Sequence, residues 1–262
     1  MNHIRIKIYV FGERKITLLQ GEISRFIIVY VIQGVVVIYF SIMAFQIIKR
    51  RKQRLNIIFG TFFISVCIGN IINMIYARMP LYLEPLIKIL HFLTLFFMFF
   101  AIILIPIVNM IILESTLIFS TKRQNKYILS YGILLFFGML ILLLFQEIFG
   151  WHVGFEIEQV HGFPKWSFPF FLYMISITIG FAIIPLILTN WRIYKSFETN
   201  TLKKKWRYYF IGSLGVICIT YSIMIANLLG DELFRLIISI FGISIVLWVQ
   251  MMYYGIGSKL EK

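Results

Sequence analysis

Charge is scarce in this sequence. Asp, Glu, Lys and Arg make up 14% of its 262 residues, where an ordinary soluble domain carries about 25%, and 60% of the residues are hydrophobic. A water-soluble fold of this length would pattern its apolar residues into amphipathic elements, but here they come in long blocks separated by short charged runs. Cysteine is rarer still. Cys67 and Cys218 both fall inside apolar blocks, where a small buried hydrophobe is the ordinary role and a disulfide or metal pair is not. Residues 1–24 hold Arg5, Lys7, Glu13, Arg14 and Lys15 but no apolar core of signal-peptide length, so the first hydrophobic block is expected to be a retained anchor. Catalytic signatures are missing too: there is no phosphate-cradling glycine loop, no His-Glu-x-x-His, no Gly-x-Ser-x-Gly and no aspartate pair. The expectation is a protein that is not an enzyme and holds no cofactor.

What is present is apolar length. A bilayer core about 30 Å thick needs about 20 helical residues, and seven blocks qualify: 25–48, 55–76, 87–112, 127–149, 169–190, 209–229 and 235–257. They are too long for barrel strands, and in lipid each must satisfy its own backbone, so they are expected to be α-helices. The predicted fold is therefore all-α, a polytopic seven-transmembrane helix bundle. Its parts are an extracytoplasmic segment (1–24), the bundle (25–257) and a cytoplasmic tail (258–262). The last two helices are joined only by Gly230-Asp231-Glu232-Leu233-Phe234, which forces an antiparallel hairpin. In the first segment Ile4, Ile6, Ile8 and Val10 alternate with His3, Arg5, Lys7 and Tyr9, the pattern of a small β-hairpin or of a tail without fixed structure.

Basic residues in short loops stay on the cytoplasmic side. Sixteen of the 25 fall in the odd-to-even connections and the C-terminus, around Lys49-Arg54, Lys122-Lys126, Arg192-Arg207 and Lys259-Lys262. With acids included, that face carries +13 and the other +1. The N-terminus is accordingly expected outside and the C-terminus inside a multi-pass protein of the cytoplasmic membrane. The net charge of +14 is then a topology signal and a contact to anionic lipid rather than a nucleic-acid surface.

Ionisable groups avoid the block centres. Lys88, His91, Glu114 and Glu147 sit near block ends, where snorkelling to the headgroups is the expected outcome, and no deep carboxylate suggests a proton pump. The seventh block has no lysine, which excludes a retinal Schiff base. Uncharged polar residues do occur inside: Gln33, Asn70, Asn73, Asn109, Tyr221, Asn227 and Gln250. They are expected either to bridge helices by hydrogen bonds or, for Gln33, Asn70 and Asn73, to line a polar ligand pocket. Gly69, Gly212, Gly215 and Gly242 read as close-packing sites, Pro106 and Pro185 as kinks.

The longest outer loop, 150–168, holds Trp151, Phe163, Trp166 and Phe168 together with His152, Glu156, Glu158 and His161. Its aromatics suit an interfacial belt, and the combination of aromatics, acids and histidines suits a ligand or pH-sensing lid. The spacing of its histidines and acids matches no established metal site.

Several features together resemble the N-terminal seven-helix sensor region of many prokaryotic histidine kinases. They are Lys49-Arg50-Arg51-Lys52-Gln53-Arg54 after helix one, the Trp151–Trp166 loop, Lys203-Lys204-Lys205-Trp206-Arg207 leading into helix six, Ala226-Asn227-Leu228-Leu229-Gly230 ending it, and Met252-Tyr253-Tyr254-Gly255-Ile256-Gly257 closing helix seven. The resemblance covers most of 25–258 as architecture. Where that family continues into a linker and kinase, this sequence ends at Lys262. It implies a receptor-like, sensor-like protein that binds a small-molecule ligand and relays the signal to a separate cytoplasmic signalling partner on Lys203, Lys204, Lys205 and Arg207. The competing expectations are a small-molecule or lipid transporter, with a pore along Gln33, Asn70, Asn73 and Asn227, and a non-catalytic subunit of a membrane complex.

Overall fold

The structure, a computed structural model, describes residues 23, 25–50, 53–114, 120–145, 147–148, 151–158 and 163–257. The alternating N-terminal stretch, His161 and the 258–262 tail lie outside the described residues. Among those described, seven helices are long and apolar enough to cross a membrane: α1 (Ile27–Arg50), α2 (Arg54–Tyr76), α3, α4 (Thr121–Leu144), α5 (Phe168–Ser196), α6 (Asn200–Leu229) and α7 (Glu232–Ile256). The third, α3, runs from Glu84 to Glu114. It is the centre of the bundle, with 67% of its apolar stretch buried against 17% for α4 and α7, which lie at the periphery. Beyond the charged first turns of α4, the outward sides of those two are largely apolar, with Leu129, Phe137, Leu144, Leu233 and Leu247 exposed. Such a surface needs lipid or another protein to cover it.

Local chemistry places the helix ends. Gly230, at φ 71°, adopts the left-handed conformation that ends α6, and the next residue, Asp231, accepts the Phe234 amide at 2.6 Å to start α7. A stop signal and a start signal on adjacent residues make the tight hairpin. Ser167 caps α5 through the Phe170 amide at 3.3 Å, with Pro169 in its first turn. Thr199 caps α6 through the Leu202 amide at 3.4 Å. That cap sets the start of α6 well ahead of 209, so the basic run 203–207 lies on the helix itself rather than in a loop.

Other features differ from the expected blocks as well. The fourth helix ends at Leu144 rather than 149, because Glu147 and Ile148 (β1) pair with His152 and Trp151 (β2) in an antiparallel ladder that takes their backbone groups. A second ladder joins Phe155–Ile157 (β3) to Pro164–Trp166 (β4), so the loop expected between helices four and five is two short hairpins. The seventh helix is interrupted, since the Ile243 and Ser244 amides bond three residues back, to Ile240 and Phe241.

Polar side chains tie the helices together. Asn73 donates to Gln33 (2.8 Å), Tyr39 to Gln250 (2.8 Å) and Asn109 to Thr189 (2.9 Å), while Tyr221 and Thr178 share a hydrogen bond (2.9 Å). Tyr131 and Tyr209 donate to the α3 carbonyls of Phe99 and Ile105, each at 2.9 Å. A methyl group at Gly212 or Gly215 would collide with α7 at Met252 and Trp248, and one at Gly69 would press on Met98 and the Thr94 carbonyl. These three glycines let backbones approach. Gly242 does not. Nothing lies within 4 Å of the position its Cβ would take, so the close-packing reading fails there, because Gly242 borders a cavity.

Candidate ligand pocket

That cavity, about 210 Å3, opens into the end of the bundle where α1, α3, α5 and α7 begin and α2 and α6 end. It is built from the first three turns of α1, the last three of α2, the early part of α3, strand β4 with the preceding Phe163, the end of α6 and the start of α7. From Arg25 to Val36 its wall on α1 extends about 16 Å, at 1.5 Å per residue. Below Val36 the bundle closes on an aromatic plug: Phe63 packs against Phe40 (5.2 Å), Phe59 (5.1 Å) and Phe62 (4.9 Å), centroid to centroid. The α1 wall includes a π-helical segment, Ile27–Ile32, a distortion that recurs at functional sites.

The wall is apolar with a few polar groups. Gln33, Asn70 and Asn73 all line it, as does Asn227. Asn73 is held by Gln33; Asn70 donates back to the Val66 carbonyl at 2.9 Å and approaches the Met98 sulfur at 3.7 Å. Of the outer-loop candidates, Trp166 lines the cavity and is 3% exposed. Glu158 stands beside it, with Oε2 3.8 Å from Arg235 Nη1. His152 and Glu156 approach one another at 3.6 Å on the hairpins and do not line the cavity. The Trp151 side chain and His161 fall outside what the structure describes. An interfacial belt would hold Phe163 and Trp166 at the surface, yet both are buried, and Phe168 alone of the three is exposed.

Polar lining residues that were not among the sequence candidates include Arg25, His91, Thr94 and Arg235. His91 does not snorkel. It is 3% exposed, its Nδ1 is 2.8 Å from the Tyr76 hydroxyl, and its ring meets Phe155 edge-on at 4.7 Å. Burial against aromatics on two sides holds it inward. Lys88, one turn earlier, pairs with Glu84 at 2.8 Å instead. Arg235 is 5% exposed; its Nη2 donates to the Pro164 carbonyl at 2.8 Å, and its guanidinium lies 4.8 Å from the Phe163 ring centroid. Arg25 approaches the same ring at 5.7 Å. No Asp or Glu is among the lining residues described.

Lys203, Lys204, Lys205 and Arg207 lie at the other end of α6, remote from the cavity. Lys204 and Arg207 are exposed, and Arg207 and Lys203 lie over the Tyr194 ring at 5.6 and 6.0 Å. Among the described residues no group of three or more His, Cys, Asp or Glu side chains could hold a metal ion. No protein-family model, curated protein or solved structure matches the chain.

Proposed function

We propose that this chain is a receptor-like membrane protein that takes a small ligand from the extracytoplasmic side and relays its presence to a separate partner on the cytoplasmic side. The observation that carries the reading is the cavity: a pocket, polar at named points, at the end of the bundle opposite the basic cluster on α6. The charge asymmetry of the connections supports placing the N-terminal end of α1 outside and the basic end of α6 inside. The pattern shared with histidine-kinase sensor regions supports the same direction of signalling. The aromatic plug below Val36 favours a receptor over a transporter, since a pore would have to pass Phe40 and Phe63, both fully buried.

Helices bordering the pocket contain the joints a relay needs. The interruption of α7 at Ile243–Ser244 follows the pocket residue Gly242, and α6 and α7 are closely packed through Gly212 and Gly215 toward the basic end. Filling the pocket would bias one of two arrangements of this pair. The test is whether recovery of a soluble partner with the purified protein changes when Gly242→Leu fills the pocket with side chain. A change supports the receptor reading; recovery indifferent to both the variant and added ligands counts against it.

A further inference from the structure

A second apolar concavity lies on the outside of the bundle, along the seam between α3 and α4, and shares no residue with the pocket. Phe96 and Phe100 of α3 form one side, and Leu129, Gly132, Ile133 and Phe136 of α4 the other. The two α3 rings stack at 5.6 Å, and Phe136 meets Phe96 edge-on at 5.6 Å. Gly132 makes the notch: a Cβ there would stand 3.3 Å from Phe100, and a large side chain would fill the groove. From Asn125 to Phe137 the lining runs about 18 Å along α4, at 1.5 Å per residue. One leaflet of a bilayer core is about 15 Å thick, so the groove matches a single hydrocarbon chain laid along the helices.

Charge marks one end only. Asn125 lines the groove and accepts from Arg54 Nη2 at 2.7 Å, while Gln124 beside it accepts from Arg54 Nε at 3.0 Å. These two neutral amides fix the half-buried guanidinium at the start of α2 over the start of α4 without balancing its charge. Lys122 heads the row Asn125, Leu129, Gly132 and Phe136, and Lys126 heads the row Leu129, Ile133 and Phe137. Steps of three and four keep each row on one helix face, and both lysines are exposed. The stretches that meet here, 45–60 and 110–130, hold eight basic residues and one acid, Glu114, so the positive surplus survives whichever of them Glu114 meets. The far end is apolar, with no Asp, Glu, Lys or Arg from Tyr127 to Gln146.

We propose that this groove binds one anionic phospholipid, with its phosphate on Arg54, Lys122 and Lys126 and one acyl chain against Phe96, Phe100 and Gly132. A phosphodiester supplies the fixed negative charge and the acceptor oxygens that a guanidinium and two ammonium groups recognise. The apolar length that continues from the basic end is what a free phosphate would leave unused. A second copy of this chain suits the groove poorly. Two copies inserted in the same direction would bring their Lys122 and Lys126 turns together, and like charges set side by side oppose the pairing.

The test uses the full chain in nanodiscs of phosphatidylcholine with stepped fractions of phosphatidylglycerol, reading the lipid retained by native mass spectrometry after transfer to detergent. One phosphatidylglycerol is expected to be retained, at least tenfold in preference to phosphatidylcholine. Lys122→Gln with Lys126→Gln is expected to erase most of that preference, whereas Lys204→Gln with Arg207→Gln, which removes as much charge from the same end of the bundle, is expected to leave it unchanged. Gly132→Phe is expected to reduce retention at least tenfold; should it fold poorly, Leu129→Trp, at an exposed lining position, is expected to do the same. Equal retention of the two lipids, or equal losses from the two charge-removing pairs, would overturn the proposal. Displacement of the lipid by glycerol phosphate at equal concentration would also overturn it, by showing that the groove adds nothing to the head. Dimers that Leu129→Trp dissociates, with no lipid retained, would give the groove to a second copy instead. Each result stands apart from the receptor reading, whose pocket none of these substitutions touches.

Discussion

The Tyr127 hydroxyl donates to the Phe181 carbonyl at 2.8 Å, and Phe181 is the residue whose carbonyl Pro185, four positions on, cannot meet with an amide hydrogen. The proline and the π-helical segment Ile179–Ile183 before it would otherwise leave an acceptor unmatched within an apolar layer. A side chain from α4 supplies the hydrogen. The kink in α5 and the docking of α4 are thereby one interaction.

Tyr127→Phe should therefore weaken the α4–α5 contact while keeping the ring, whose centroid is 5.5 Å from that of Phe181. A loss of about 1 kcal/mol is expected for a hydrogen bond whose acceptor is left behind. Restoring an amide with Pro185→Ala in the same chain should recover most of it. Denaturant unfolding in mixed micelles measures both; additive losses from the two changes would show that Tyr127 does not compensate for Pro185.

How much of this was legible beforehand follows from what each residue can do locally. The seven spans were, because runs of about 20 apolar residues are what a bilayer core requires of a helix. The amides were singled out because Gln33, Asn70 and Asn73 have no water to satisfy them in such blocks, so pairing or lining a pocket were the options, and Gln33 and Asn73 do both. Arg25, His91 and Arg235 were not, since near a block end a charged or titratable side chain can turn outward to headgroups or inward with equal local plausibility. Only the aromatic neighbours from distant segments, Phe155 and Phe163, decide it. The hairpins at 147–166 are not legible, because their strands are two or three residues long, below the length at which alternation is visible.

Glycines on α6 and α7 should respond with opposite signs. Gly215→Ala is expected to destabilise by about 1–3 kcal/mol, since the added methyl meets the Trp248 indole and overpacks the α6–α7 interface. Gly242→Ala meets open space and gains helix propensity, so it should be neutral or stabilising by up to about 1 kcal/mol. Unfolding midpoints of the two variants measured side by side decide this, and equal losses would mean that Gly242 is packed after all.

The Asn73–Gln33 hydrogen bond joins α2 to α1 across the pocket wall. A double-mutant cycle with Asn73→Leu and Gln33→Leu is expected to give a coupling of about 0.6 kcal/mol, the average for such bonds between membrane helices. A coupling near zero would indicate that each amide finds another partner once its mate is gone.

The basic run on α6 offers the sharpest separation of stability from signalling. Lys204 and Arg207 are exposed, so Lys204→Gln with Arg207→Gln should cost little; loss of the Arg207 contact with Tyr194 accounts for about 0.5–1 kcal/mol. Topology should hold as well, because most of the basic residues of the proposed cytoplasmic face remain and the rule depends on their sum rather than on any pair. If this face docks a soluble partner, recovery of that partner should fall at least tenfold while the unfolding midpoint stays nearly unchanged. Loss of both together would mean that the substitutions unfold the bundle, and loss of neither would place the docking surface elsewhere. Accessibility labelling of a cysteine introduced at Lys204, from outside intact cells, fixes the sidedness in the same experiment: protection is expected, and labelling would invert the orientation.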